Sequence, residues 1–189
     1  LGKALEEMEF RGSPRELVRS VTLDMSRPYI STISNEMGQA RMIFDRFHLT
    51  YNLNKEIDRI RIRESKEYKE LKKTKYIWLK NNENLTEDQR EKLDEINGMY
   101  LHIGTAYRFK ELFKEIMDNA KNDSRLKPLN DWMQEVEKEE IPELTRFVNM
   151  LKSHWYGIKT YFNEVSTNAY AERVNLKIQE IKRIAKGYR

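Results

Sequence analysis

The sequence predicts a mostly α-helical protein with a small α/β part near its start. Three observations predict this. Glycine and proline are scarce, seven and four among 189 residues, so few positions break a helix. Two short apolar runs, Leu17-Val18 through Val21 and Leu23, then Met42-Ile43-Phe44, flank a single helical segment. From Leu49 onward apolar residues recur at helical spacing almost to the end of the chain.

The elements follow in order. Leu1, Ala4, Leu5 and Met8 share one stripe of a helix over residues 2–10. Gly12-Ser13-Pro14 ends it. Residues 17–24 read as a short buried strand closing on Asp24. Pro28 sits early in the next helix, where its missing N–H is harmless, and Gly38 closes that helix. Residues 40–45 read as a second strand closing on Asp45. Strand, helix, strand makes a βαβ unit, so the strands are expected to be parallel. Both aspartates then fall at carboxyl ends of neighbouring strands, where α/β sheets bind ligands.

After Asp45 the periodicity is helical. Leu49, Leu53, Ile57 and Ile60 form a stripe that Glu64 interrupts. Residues 80–85 read as a loop, and Thr86-Glu87-Asp88-Gln89 as a capping box. The helix it starts is expected to run on from Leu93 and Ile96 through Ile103, Tyr107, Leu112 and Ile116. Further helices are expected over 125–139 and 142–164. A last one, capped by Ser166-Thr167-Asn168, reaches about Lys186. The expected organisation is a partial α/β core over 1–49, a helical lobe over 50–160 and a closing helix over 161–189.

Net charge is +4 but uneven. Residues 59–75 carry eight Lys/Arg against three Glu, and residues 173–189 carry six against Glu180 alone. Residues 131–143 carry six acids against Lys138. Basic segments of this kind are either solvated helix faces or surfaces for nucleic-acid phosphates. The chain has no cysteine, which excludes disulfides and thiolate metal sites and fits a cytoplasmic protein. It has no run of about 18 apolar residues. The first residues read as an amphipathic helix and not as a signal peptide.

Three carboxylates stand out. Asp24 and Asp45 end apolar runs, and Glu172 lies in the first turns of the last helix. By its spacing that helix is expected to bury Ala171, Val174, Ile178, Ile181 and Ala185, with Glu172, Asn175, Gln179, Lys182 and Arg183 on another face. Its dipole favours the ionised acid, which is what a hard divalent cation needs. Asp45 and His48 are three apart on a first helical turn, where they can share one metal, or the histidine can orient a carboxylate or bind a phosphate. The plainer readings are a turn or cap aspartate at 24, an N-cap at 45 and an ordinary N-terminal acid at 172. His102 and His154 show no ligand spacing, and Trp78, Trp132 and Trp155 read as core.

Taken together and in order, these segments resemble a known family. Val21-Thr22-Leu23-Asp24-Met25-Ser26, Ile43-Phe44-Asp45-Arg46-Phe47-His48, Lys75-Tyr76-Ile77-Trp78-Leu79-Lys80-Asn81 and the stretch from Thr167 through Glu172, Asn175, Lys182 and Arg183 to Arg189 are similar to DDE transposases of bacterial insertion sequences of the ISL-three family. The resemblance implies a truncated ribonuclease-H-like core with two parallel strands, interrupted by an all-helical insertion. It implies that Asp24 is the second acid of a catalytic triad and Glu172 the third, with Asp45, His48 and Asn175 accessory. A second reading makes Asp45 itself the second acid. It further implies Mg2+ or Mn2+ held by Asp24 and Glu172. The DNA ends of an insertion sequence would be the substrate, with phosphates met by Lys177, Lys182, Arg183 and Lys186. Ala169 and Arg173 stand where the family usually has glycine.

The family's first catalytic aspartate lies on an opening strand that the 23 residues before Asp24 do not accommodate. The chain is therefore expected to be a fragment, inactive alone, whose exposed strand edges invite pairing between two copies. The alternative is a non-enzymatic helical module that binds DNA or a protein, with the carboxylates serving as caps.

Overall fold

The computed structural model describes residues 2–99, 101–118 and 126–163. These divide into two compact units, one of residues 2–44 with 156–163 and one of residues 45–118 with 126–155.

The first unit begins with α1 (Gly2–Phe10), which buries Leu5. Gly12 turns the chain at a φ of 83°, which favours glycine. The predicted strand over 17–24 is shorter than expected. Arg15–Leu17 form a 3-10 turn, and Leu17 is 75% exposed. Pro14 carbonyl accepts from the Leu17 N–H, and Arg15 carbonyl accepts from both Val18 N–H and the Gln39 amide. These bonds, one of them between residues 24 positions apart, hold Leu17 away from the sheet.

Strand β1 is Ser20–Leu23, followed by α2 (Arg27–Glu36) and β2 (Arg41–Phe44). The strands pair in parallel, from Ser20 with Arg41 to Leu23 with Phe44. Helix α2 packs against β1 and buries Ile33. Its last hydrogen bond is the Met37 N–H to the Ile33 carbonyl. Phe44 is fully buried, and its ring meets Tyr156 edge-on at 5.3 Å between centroids.

The second unit is all helical among the described residues. Helix α3 (Arg46–Glu64) is its spine, with Leu49, Leu53, Ile57 and Ile60 wholly buried. It packs against α4 (Lys75–Leu79), α6 (His102–Asp118) and α8 (Pro142–Ser153). Helix α5 (Glu87–Asn97) contacts α4, and α7 (Leu126–Lys138) contacts α6 and α8. The capping box is present: Thr86 accepts from Gln89 N–H, and the Gln89 amide oxygen accepts from Thr86 N–H.

Three tryptophans were expected in the core. Trp78 and Trp132 are buried and Trp155 is half-buried. Trp132, Phe113 and Phe147 join α7, α6 and α8 with ring centroids 5.2 to 6.1 Å apart. Such aromatic contacts add about 0.5–1.5 kcal/mol each beyond their buried area.

Two expected helices are broken. The one starting at Thr86 stops at Asn97, and α6 starts afresh at His102. Gly98 caps the first piece, and the Glu64 carboxylate caps the second. The helix expected over 142–164 stops at Ser153 and resumes as α9 over 155–163. There the Ser153 hydroxyl donates to the Met150 carbonyl, which His154 N–H also reaches. Such side-chain bonds compete with the helical ladder. No helix among the described residues is long and apolar enough to cross a membrane.

Candidate catalytic acids and nucleic-acid interface

The two strand-terminal aspartates adopt the same local geometry. Asp24 Oδ1 accepts from the Ser26 N–H at 2.9 Å, and Asp45 Oδ1 accepts from the Phe47 N–H at 2.9 Å. Each is a carboxylate turned onto the backbone two residues ahead, an Asx turn. The plain reading of both as turn or cap residues is thus correct as far as one oxygen goes. Asp45 is also the N-cap of α3. Both residues are only partly exposed. The strand register ends at Leu23 opposite Phe44, and each strand is followed directly by its aspartate.

His48 is one turn into α3 and half-buried, its ring edge-on to Phe47 at 5.5 Å. Between Asp45 and His48 stands Arg46. Its guanidinium donates to Asp118 at the end of α6, and Lys114 meets the same carboxylate at 3.1 Å. Burial by itself would raise the pKa of Asp118, but the bonds to Arg46 and Lys114 outweigh it and hold the carboxyl below its ordinary value. Arg46 therefore ties the turn that carries Asp45 and His48 to the helical lobe.

The basic segment 59–75 is sorted by the fold. Arg59 pairs with Glu56, Arg61 with Asp58 at 2.7 Å, and Arg63 with Glu143 at 3.1 Å. Arg146 of α8 reaches back to Glu56 at 3.0 Å. Helices α3 and α8 thus exchange arginines across their contact, each meeting a carboxylate that is about nine-tenths buried. Lys66, Lys69, Lys72 and Lys73 remain exposed in the turns that follow α3. The three arginines serve the lobe's own acids, and the lysines are left to face solvent.

Among the described residues no group of three His, Asp or Glu could hold a metal ion. Glu172, Asn175, Lys177, Lys182, Arg183 and Lys186 lie outside the described residues. As donors, Asp24, Asp45 and Glu172 offer hard carboxylate oxygens, the chemistry that Mg2+ and Mn2+ take.

Sequence reasoning missed two acid–base groups of the lobe. Glu64, read as an interruption of an apolar stripe, caps α6. Lys110 is 3% exposed and donates to the Trp78 carbonyl at 2.9 Å and to that of Lys80, closing the end of α4. Its position in the apolar periodicity of α6 was the available signal.

The described residues thus form a parallel strand–helix–strand unit, each strand followed by an aspartate, and a separate helical unit. A family model of DDE transposases of the ISL3 type, described as "Transposase", matches residues 3–189. The chain belongs to this transposase family. It is 26% identical over 180 residues to the transposase for insertion sequence element IS1001 of Bordetella parapertussis, covering 91% of this chain and 44% of that protein. It is 29% identical over 119 residues to the transposase for insertion sequence element IS1557 of Mycobacterium tuberculosis, covering 63% of this chain and 27% of that protein. The chain thus spans less than half the length of the curated relatives it matches. No solved structure matches it.

Proposed function

We propose that this chain contributes two of the three acids of a metal-dependent DNA transposase that cleaves insertion-sequence ends and joins them to target DNA. The observation that carries the reading is the family match along residues 3–189; by the resemblance drawn from the sequence, Asp24 and Glu172 stand for two of the family's acids. Asp24 and Glu172 would hold Mg2+ or Mn2+, with Asp45 the alternative to Asp24. Ions held by such acids supply an activated water or 3′-hydroxyl and stabilise the leaving oxygen of a phosphodiester.

The chain's own residues would do the rest. The Asx turns fix one oxygen of Asp24 and of Asp45, so each carboxylate has a set orientation before any ligand arrives. Helix α3 sets His48 one turn beyond its N-cap Asp45, where the ring can meet a phosphate, and Arg46 between them is held by Asp118. Lys177, Lys182, Arg183 and Lys186 neutralise phosphates without reading sequence. The strand edges of the small sheet are the proposed site of pairing between two copies.

Two measurements test this reading. The chain should bind duplex DNA with an affinity that falls steeply with salt, and neutralising Lys182 and Arg183 should weaken it about equally for any sequence. In a supercoiled-plasmid assay with Mg2+ or Mn2+ the chain alone should not nick, because on this reading it contributes two of the three triad acids. Nicking lost on Glu172→Ala would overturn the predicted inactivity and support the catalytic role. The absence of any DNA binding would overturn the function itself and favour a helical module that uses its carboxylates only as caps.

A further inference from the structure

We infer that the cleft between α3 and α4 is a binding site for one unstacked nucleotide of DNA. The inference rests on the DNA-processing function proposed above and adds a site within the helical lobe.

The cleft has a volume of about 410 Å³, within the range of small-ligand sites. Tyr51, Asn54, Lys55 and Arg59 of α3 line it, facing Lys75 and Leu79 of α4. Tyr51, Lys55 and Arg59 are four apart, so they form one stripe on α3. The same stripe begins with His48, about one turn before Tyr51. A strand held beside Asp45 and His48 can follow this stripe into the cleft without leaving the helix.

Each wall offers a different part of nucleotide recognition. The Tyr51 side chain is 57% exposed although it is large and aromatic, so its ring is open to a base, and Leu79 adds an apolar part of the lining. The Asn54 Oδ1 is buried with no hydrogen-bond partner among the described residues. A buried acceptor without a donor is uncommon, and the exocyclic amino groups of adenine, cytosine and guanine are donors of the right kind. Lys55 is exposed beside them. Lys75 is held 3.5 Å from Asp58, and Arg59 is bound to Glu56. Asp58 also lines the cleft, but Arg61 holds it at 2.7 Å. With Arg59 and Lys75 paired in this way, Lys55 is the lining cation left to meet a phosphate at the rim.

A base inside a duplex is stacked on both faces and cannot offer its ring to Tyr51. The occupant is therefore a nucleotide from a single strand or from a locally opened end.

The test is fluorescence anisotropy of the whole chain with a labelled single strand of mixed sequence and with a duplex of the same sequence. Tyr51→Ala should weaken single-strand binding roughly tenfold or more, the usual loss when a stacking aromatic is removed. Tyr51→Trp should restore it. The same Ala variant should change duplex binding less than about twofold. Tyr76→Ala, on α4 and 67% exposed but not in the cleft lining, should leave both unchanged. Lys55→Gln should lower the single-strand salt slope by about 0.7. Circular dichroism of each variant checks that the fold is kept.

A Tyr51→Ala loss below about twofold for single strands, or an equal loss for duplex, would overturn the site. So would binding to duplex with none to single strands, which would leave the transposase reading standing. Failure to bind any DNA would overturn both.

Discussion

The Glu64 carboxylate caps a helix that begins 38 residues later. One oxygen accepts from the His102 N–H at 3.0 Å and lies 3.0 Å from His102 Nδ1, while the other accepts from the Ile103 N–H at 3.0 Å. Glu64 is 8% exposed. It satisfies two of the four N–H groups that every helix start leaves open, and it places a negative charge at the positive end of α6.

Removing this cap has a predictable cost. Glu64→Ala is expected to destabilise the lobe by about 2–3 kcal/mol, because two N–H groups, that of Ile103 buried and that of His102 part-buried, lose a charged acceptor. Glu64→Gln keeps one acceptor oxygen and should cost about half as much. Urea unfolding followed by circular dichroism measures both. Equal stability of all three proteins would show that the contact carries no weight.

Gly157 is fixed by a close approach. A Cβ built there would lie 2.5 Å from two ring carbons of Phe44, and Phe44 is fully buried. The ring has nowhere to go, so Gly157→Ala should destabilise the first unit by about 1–3 kcal/mol, the usual cost of overpacking. The same change at exposed Gly2, where nothing lies within 4 Å, should not. Thermal melting of the two variants makes the comparison.

Lys110 gives a pH dependence with a definite sign. Burial pushes its ammonium down to about 8, against the opposing pull of Glu111. An unfolded lysine titrates near 10.4. Between these values the unfolded chain binds more protons than the folded one, so stability attributable to Lys110 rises with pH. The stability difference between the native chain and Lys110→Met should therefore grow from about pH 8 to pH 10, measured by urea unfolding at each pH. A difference that stays flat would show that the Trp78 and Lys80 carbonyls hold the proton against burial.

Much of the fold was legible because its signals are local. The parallel strand pair followed from two apolar runs flanking a helix, and Thr86 with Gln89 announced a cap four residues long. The helix breaks near Gly98 and His154 were not legible. Apolar spacing runs through both, and what restarts the helix after the first break is a carboxylate from a distant part of the chain. The shortened first strand has the same cause. Leu17 looks apolar enough for a strand, yet Gln39 and Pro14 hold its neighbourhood in a 3-10 turn.

The candidate acids divide in the same way. Asp24 and Asp45 were visible as strand-terminal residues, and their Asx turns need only the next two residues to form. The basic run 59–75 was visible as charge but not as its use. Whether an arginine meets a phosphate or an internal acid depends on which helix lies beside it. Here α8 brings Glu143 to Arg63 and carries Arg146 to Glu56.

The order of the elements, the strand-terminal acids and membership of a transposase family were thus set by the chain alone, since spacing, caps and motifs act over a few residues. Tertiary packing decided where the helices stop, which cations are already neutralised and which aromatic ring is left facing solvent. Those outcomes depend on burial and on ion pairs between residues as many as 90 positions apart, and a buried charge accepts whichever partner the fold delivers.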